Sequence, residues 1–346
     1  MKRFEWIDTL KGIGITLVVA SHIYTGEIRY FLGIFSMPLF FFIGGFLYSS
    51  KYDNQVYLKK KIVHLIVPYI AFILLLYPIQ LIALLPQRQG FSFVDILKLI
   101  VNPIIGGTFL WGLTSAFWFT TCFFITQQLA NFIIRKVNPK QVIFYIIGLS
   151  GLSYLNYLVF KQFFLPQNAH VAIAGTSIFL IGFLYRKLYS ERNHSIISIS
   201  VLLFVLCMTL YSNQTSNLWS WSFLAMDMKR ANYGMPVFSL LLAIGLILLL
   251  IDISKLLVKN APLLSKIIGA LGQASMSILY LHLAFIYALK GLDSGISYFN
   301  LFVLSTALSF IIHSIILKFS FTRAVLLGSY SDFEQIFLTR NRNNQV

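Results

Sequence analysis

The chain is short of charge, and of acid most of all: 11% of its 346 residues are charged, and only 11 are Asp or Glu against 27 Lys or Arg. So little charge beside 58% hydrophobic residues excludes an ordinary soluble domain. Just two cysteines are present, Cys122 and Cys207, both inside apolar runs, so no disulfide framework is implied. A glycine-rich phosphate loop, a repeat of fixed period and a low-complexity block are all absent. There is no Gly-x-Ser-x-Gly elbow, which leaves a serine acyl-enzyme without local support. Nowhere do His and carboxylate residues take up the spacing of metal ligands, so no metal is expected. Strand-type alternation in ten-residue blocks is missing too, which argues against an outer-membrane barrel.

What the sequence does have is long apolar runs, each able to cross a hydrocarbon core of about 30 Å. Ten are read, near residues 9–26, 30–49, 62–85, 113–134, 141–160, 170–186, 195–212, 234–252, 273–290 and 297–318. The expected fold is therefore all-α, a polytopic integral membrane helical bundle, with 1–346 a single membrane domain carrying no appended soluble domain. The first run lacks a small-residue cleavage site and leads straight into the second, so it is expected to be a retained helix. With the N-terminus in the cytoplasm, 20 of the 27 Lys and Arg fall inside; outside lie Arg29, Arg88, Lys98, Lys161, Lys229, Arg230 and Lys290. This loop-by-loop alternation obeys the positive-inside rule and puts both termini in the cytoplasm. The net charge of +16 then reads as a topology signal and an attraction to anionic membrane lipid, with no nucleic acid needed as a partner. Trp111, Trp219 and Trp221 fall near outer helix ends, where indole suits the interface. The two longest extramembrane stretches, about 86 to 112 and 213 to 233, are both outside. The first contains FSFVDILKLIVNPIIGG, whose spacing suits a short amphipathic or re-entrant helix ended by Asn102-Pro103.

Ionisable groups inside spans are expensive, and they carry the functional information. In KGIGITLVVASH, Lys11 and His22 are eleven residues apart, which at 100° per residue is three turns plus about 20°, so both leave one helix face. The rise between them is about 16 Å. Asp8, three residues before Lys11, lies close to the same face. A polar stripe thus runs from the cytoplasmic boundary, at Lys11, towards the membrane interior, at His22. Spacing alone leaves two readings open: an interfacial Asp8–Lys11 pair and a His22 bonded to a neighbouring helix, or a working site.

At this point the residues resemble a family. WIDTLKGIGITLVVASH followed by SMPLFFFIGGFLYSSK resembles the opening of the acyltransferase 3 superfamily of bacterial membrane O-acyltransferases, particularly its fucose 4-O-acetylase-like branch. Its first-helix signature is a basic residue, ten intervening residues and a His. Lys11 and His22 take those places, Lys standing where Arg is usual and so lacking the bidentate fork. KKKIVHLIVPY resembles the basic start of the family's third helix, where two Arg are separated by two residues; Lys61 and His64 hold the matching positions. SAFWFTTCFF is similar to a Trp-Phe motif through Trp118 and Phe119, and FLIGFLYRK to a common helix end. ASMSILYLHLAF resembles a late segment in which a Ser and a Tyr precede a His, here Ser275, Tyr280 and His282. The patches extend over roughly residues 4 to 290.

The resemblance implies transfer of an acyl group from an acyl-CoA, with acetyl-CoA the expected donor, to a sugar hydroxyl of a cell-surface polysaccharide or its lipid-linked precursor at the bacterial plasma membrane. On that reading His22 and His282 are the catalytic candidates. Lys11, Lys61, His64 and Asp8 are the donor-binding candidates, and Trp118 and Tyr280 the substrate-binding ones. Taken alone, Trp118 and Tyr280 read as packing aromatics, His282 as a helix-to-helix hydrogen bond and His64 as a solvated surface group. His170, His194 and His313 read as structural or exposed. A secondary transporter or glycan flippase is the alternative class that ten helices and buried polar groups would suit. Such proteins often carry paired broken helices in corresponding halves, and none are seen here.

Overall fold

The computed structural model describes residues 4–84, 93–160, 163–188, 195–214 and 220–338. Of the residues singled out above, Arg88, Lys161, His194 and Trp219 lie outside these ranges. In chain order the helices are α1 (Glu5–Ile23), α2 (Gly26–Phe46), α3 (Asn54–Lys61), α4 (Val67–Leu84), α5 (Phe93–Ile105), α6 (Trp118–Lys136), α7 (Val142–Leu158), α8 (Val171–Leu188), α9 (Ser195–Gln214), α10 (Phe238–Asn260), α11 (Pro262–Gln273), α12 (Ser275–Leu292), α13 (Tyr298–Ile316), α14 (Ser320–Leu326) and α15 (Tyr330–Phe333). A π-turn, Ile62–Ile66, joins α3 to α4. Among the described residues the only β-type pairing is an isolated bridge between Asp227 and Asn232.

The expected all-α class holds, and each apolar run carries a helix. Among the described residues seven helical stretches are long and apolar enough to cross a bilayer, while α7 and the apolar part of α9 are shorter. Helix α1, with Glu5, Asp8, Lys11 and His22, is not among the seven. Large apolar side chains such as Leu74, Phe144, Ile147 and Ile196 point outward, and Ile196 is 82% exposed. In water that surface would be costly; facing lipid it costs nothing, so the chain is a multi-pass membrane protein.

Two compact units are present. The first comprises Met1–Tyr48, Lys136–Phe163 and Ile173–Ser275. Here glycines let backbones touch. A Cβ at Gly45 of α2 would lie 1.8 Å from the Phe179 carbonyl oxygen of α8, and one at Gly182 would lie 2.1 Å from the Phe42 oxygen. The same device seats α11 on α1, where a Cβ at Gly12 would be 1.9 Å from the Ile268 oxygen and one at Gly272 1.9 Å from the Asp8 oxygen. Thr9 Oγ1 and Ser265 Oγ, 2.8 Å apart, fix the register of that pair.

Trp221 differs from expectation. It is buried rather than interfacial, edge-on to Phe31 at 5.1 Å. The cause is Glu27, whose carboxylate accepts from the Trp221 backbone N–H at 2.8 Å and from Ser220 Oγ at 2.7 Å, pinning the segment to the start of α2.

The second unit comprises Ser49–Arg135, Phe164–Ala172 and Met276–Val346. Its core gathers Tyr69, Phe72, Leu76, Leu110, Phe117, Tyr280, Leu281 and Ile316. The amphipathic helix expected near residue 100 is α5, but Asn102-Pro103 does not end it. The helix runs on to Ile105 and stops at Gly106, which has a φ of +63°. Proline at 103 cannot donate to the Leu99 carbonyl, and Tyr77 OH donates to it instead at 2.6 Å. With that acceptor satisfied, the proline is tolerated inside the helix.

Candidate active site

Helix α1 starts at Glu5 and ends at Ile23, where the Tyr24 N–H closes the last turn on the Ala20 oxygen at 2.9 Å. Both ends fall earlier than the apolar run suggests. His22 is therefore in the last turn with an exposed side chain, not in the middle of a span. Glu5 and Asp8 occupy the first turn and His22 the last, the arrangement that complements a helix dipole.

The neighbours of α1 locate the stripe. Gly14 faces α2, where a Cβ would meet Leu39 at 2.6 Å, and Gly12 faces α11. Counting 100° per residue from Gly14, Lys11, His22 and Asp8 project at about 60°, 80° and 120°, and Gly12 at about 160°. The three polar residues thus occupy the sector between the α2 and α11 contacts. Lys11 and Asp8 are half-buried and His22 is exposed. Between them Ile15, Val18 and Val19 share that side of the helix and are buried. The stripe is polar at its two ends and apolar in the middle.

The remaining candidates belong to the second unit. Lys61 is the last residue of α3, its Nζ 5.4 Å from the centre of the Tyr57 ring. His64 is the middle residue of the π-turn and is exposed. Such turns are rare and recur at functional sites. Trp118 opens α6 and is buried, with its carbonyl accepting from Thr121 Oγ1 at 3.2 Å. Tyr280 is fully buried: it stacks on Phe72 at 4.5 Å, meets Phe117 edge-on at 4.7 Å, and donates to Thr120 Oγ1 at 2.9 Å. Thr120, Phe72 and Phe117 thus frame Tyr280, and none of the three is singled out by sequence. The available signal was Thr120-Thr121, a polar pair interrupting the apolar run SAFWFTTCFF.

His282 is 0% exposed, and its Nδ1 is 2.8 Å from the Ile278 oxygen one turn back. A carbonyl can only accept, so Nδ1 carries the proton and a neutral ring has its lone pair on Nε2. His170 Nδ1 accepts from the Leu165 N–H at 3.2 Å, and His313 Nδ1 lies 2.8 Å from Ser277 Oγ, which ties α13 to α12.

An all-helical, multi-pass membrane protein whose first helix carries a cation near one end and an imidazole at the other is the class these observations define. The acyltransferase 3 model, an acyltransferase domain, matches residues 4–318, and the chain belongs to that family. It is a membrane acyltransferase. No curated protein and no solved structure matches it.

Proposed function

We propose that this acyltransferase carries an acetyl group from acetyl-CoA to a sugar hydroxyl of a cell-surface polysaccharide or its lipid-linked precursor, at the bacterial plasma membrane, with His22 as general base. One observation carries the reading: on a single helix face Lys11 is half-buried near one end and His22 exposed at the other. The rise between them, about 16 Å, suits a donor whose phosphates and acyl group lie at opposite ends of a long thin arm.

A sugar hydroxyl is a poor nucleophile near neutral pH. The His22 imidazole accepts its proton as the oxygen attacks the thioester carbonyl. The new C–O bond forms, the C–S bond breaks, and the imidazolium returns the proton to the departing thiolate. The carbonyl end of α1 beside His22 interacts favourably with that imidazolium. Lys11 holds the anionic end of the donor as a point charge and Asp8 orients its ammonium, while Lys61 and His64, in the second unit, are carried as donor-binding candidates by the family resemblance. His282, a second base candidate through Nε2, and Trp118 and Tyr280, the substrate-binding candidates, belong to the second unit and are carried by the family resemblance.

Donor binding tests this reading against a transporter. Purified protein is expected to bind acetyl-CoA in a salt-sensitive way. Lys11→Ala weakens binding about tenfold or more, since a charge-assisted hydrogen bond is worth roughly 1.5–3 kcal/mol, while Lys11→Arg keeps it. A transporter or flippase binds no acetyl-CoA, and both substitutions then alter glycan movement instead.

The donor is made in the cytoplasm, so its route depends on orientation. The cation distribution supports both termini on the cytoplasmic side. Single cysteines at Asn260 and Ser294, in a background lacking Cys122 and Cys207, report it. In intact cells an impermeant thiol reagent is expected to label position 294 and not 260. The reverse pattern inverts the orientation and removes the cytoplasmic donor route.

A further inference from the structure

The family match ends at residue 318, yet the chain continues into an ordered segment whose parts hold one another. Arg323 grips Asp332 with two bonds, Nε to Oδ2 at 3.0 Å and Nη2 to Oδ1 at 2.8 Å. Ser329 Oγ donates to the same carboxylate, and the Ser329 N–H to the Arg323 oxygen at 3.0 Å. Arg323 also donates through Nη1 to the Leu317 oxygen at 2.9 Å, and Thr322 Oγ1 to the Ile316 oxygen at 2.6 Å. Those are terminal carbonyls of α13, so the segment is rooted in that helix. The guanidinium holds the Asp332 carboxyl down at about 2, so the clasp is ionised at neutral pH.

The clasped loop rests on the π-turn. Gly328, at its tip, has a φ of +61°, and a Cβ there would lie 2.5 Å from both the Val63 oxygen and the His64 Cα. Glycine is needed twice over, for the left-handed backbone and for the approach. Two residues on, the Tyr330 ring lies 5.2 Å from Lys60 Nζ, and the Tyr52 ring covers the same ammonium at 3.6 Å. Lys60 is thereby engaged by two aromatic faces.

We propose that this strap, Phe319–Phe333, is a positioning element for the donor site: by seating Gly328 on the π-turn it fixes the placement of Lys61 and His64. The donor role of those residues rests on the function proposed above. A π-turn is less stable than a plain helical turn and persists where its surroundings over-determine it. The strap's backbone comes against the turn at Val63 and His64, and its registry is set by the Arg323–Asp332 clasp.

The bland reading is that the strap only packs, since Leu326 and Leu327 lie against the core that holds Tyr69 and Phe72. Two measurements on the full chain in detergent separate the readings: amide exchange over residues 60–68, and acetyl-CoA affinity. Gly328→Ala is expected to speed exchange of the Ile62–Val67 amides about tenfold or more and to weaken acetyl-CoA binding by a similar factor, with the thermal transition kept. Asp332→Asn, which replaces an acceptor without adding bulk, is expected to act in the same direction. The exchanged pair Arg323→Asp with Asp332→Arg is expected to recover most of the loss, which packing damage would not do. If either single variant folds with unchanged exchange in the turn and unchanged affinity, the strap positions nothing and the inference is wrong. If wild-type protein binds no acetyl-CoA, the donor reading fails separately, and the exchange measurement still decides whether the strap holds the turn.

Discussion

His22→Ala is expected to leave a folded membrane protein that still binds acetyl-CoA but transfers acetyl groups about 10²–10⁴-fold more slowly, the usual cost of losing a general base. The side chain is exposed in the last turn of α1, so its truncation opens no cavity and the fold is expected to survive it. Donor affinity is spared because a base contributes to the transition state and not to holding the ground-state donor. The same substitution at His282 carries less information: that ring is fully buried and bonded to Ile278, so lost activity there has a packing explanation as well as a chemical one. The measurement is O-acetylation of surface glycans in a deletion strain complemented by each allele, with membrane expression checked alongside. Normal acetylation by a well-expressed His22→Ala protein would remove His22 from the chemistry.

The helices were legible because a bilayer imposes length and apolarity on every span, and both can be counted from sequence. The shared face of Lys11 and His22 was legible for a similar reason, since helical periodicity is a local property. The depth of His22 was not. It depends on where α1 stops, and the end at Ile23 is set by a short link into α2 through Gly26, at a φ of +64°, rather than by the apolar run. Helix α11 is not legible as a span because its 12 residues are too short to cross a membrane. Pro262 at its first turn was an available signal, but its purpose lies in α1, some 250 residues away, where Gly12 receives it. Pro103 in α5 misled for the same reason: a local rule was overruled by the hydroxyl of Tyr77, which sequence alone cannot bring near. Trp221 and Tyr280 repeat the pattern, since the partners that decide their roles, Glu27 and Thr120, are 194 and 160 positions away.

The glycine contacts give the other large expected effect, and they oppose the ordinary rule that glycine weakens a helix. Gly45→Val or Gly182→Val is expected to abolish folded protein, whereas Gly148→Ala and Gly151→Ala in α7 are expected to be neutral or stabilising. At Gly45 a Cβ would meet the Phe179 carbonyl oxygen at 1.8 Å, its carbon at 2.7 Å and the Phe183 nitrogen at 2.9 Å. Those are backbone atoms of a helix, and no rotamer change clears them. Inserting methylenes into a packed interior costs about 1–3 kcal/mol where side chains can yield; here α2 and α8 must separate, and the contact between them is lost as well. Gly148 and Gly151 have nothing within 4 Å of an added Cβ, so alanine there meets no obstacle and gains up to about 1 kcal/mol of helix propensity each. Folded yield and thermal transition in detergent check all four. A Gly45→Val protein melting like wild type would mean that α2 and α8 do not touch backbone to backbone. Gly12→Val extends the logic to the proposed site: by forcing α11 off α1 beside Lys11, it is expected to weaken acetyl-CoA binding in whatever fraction still folds.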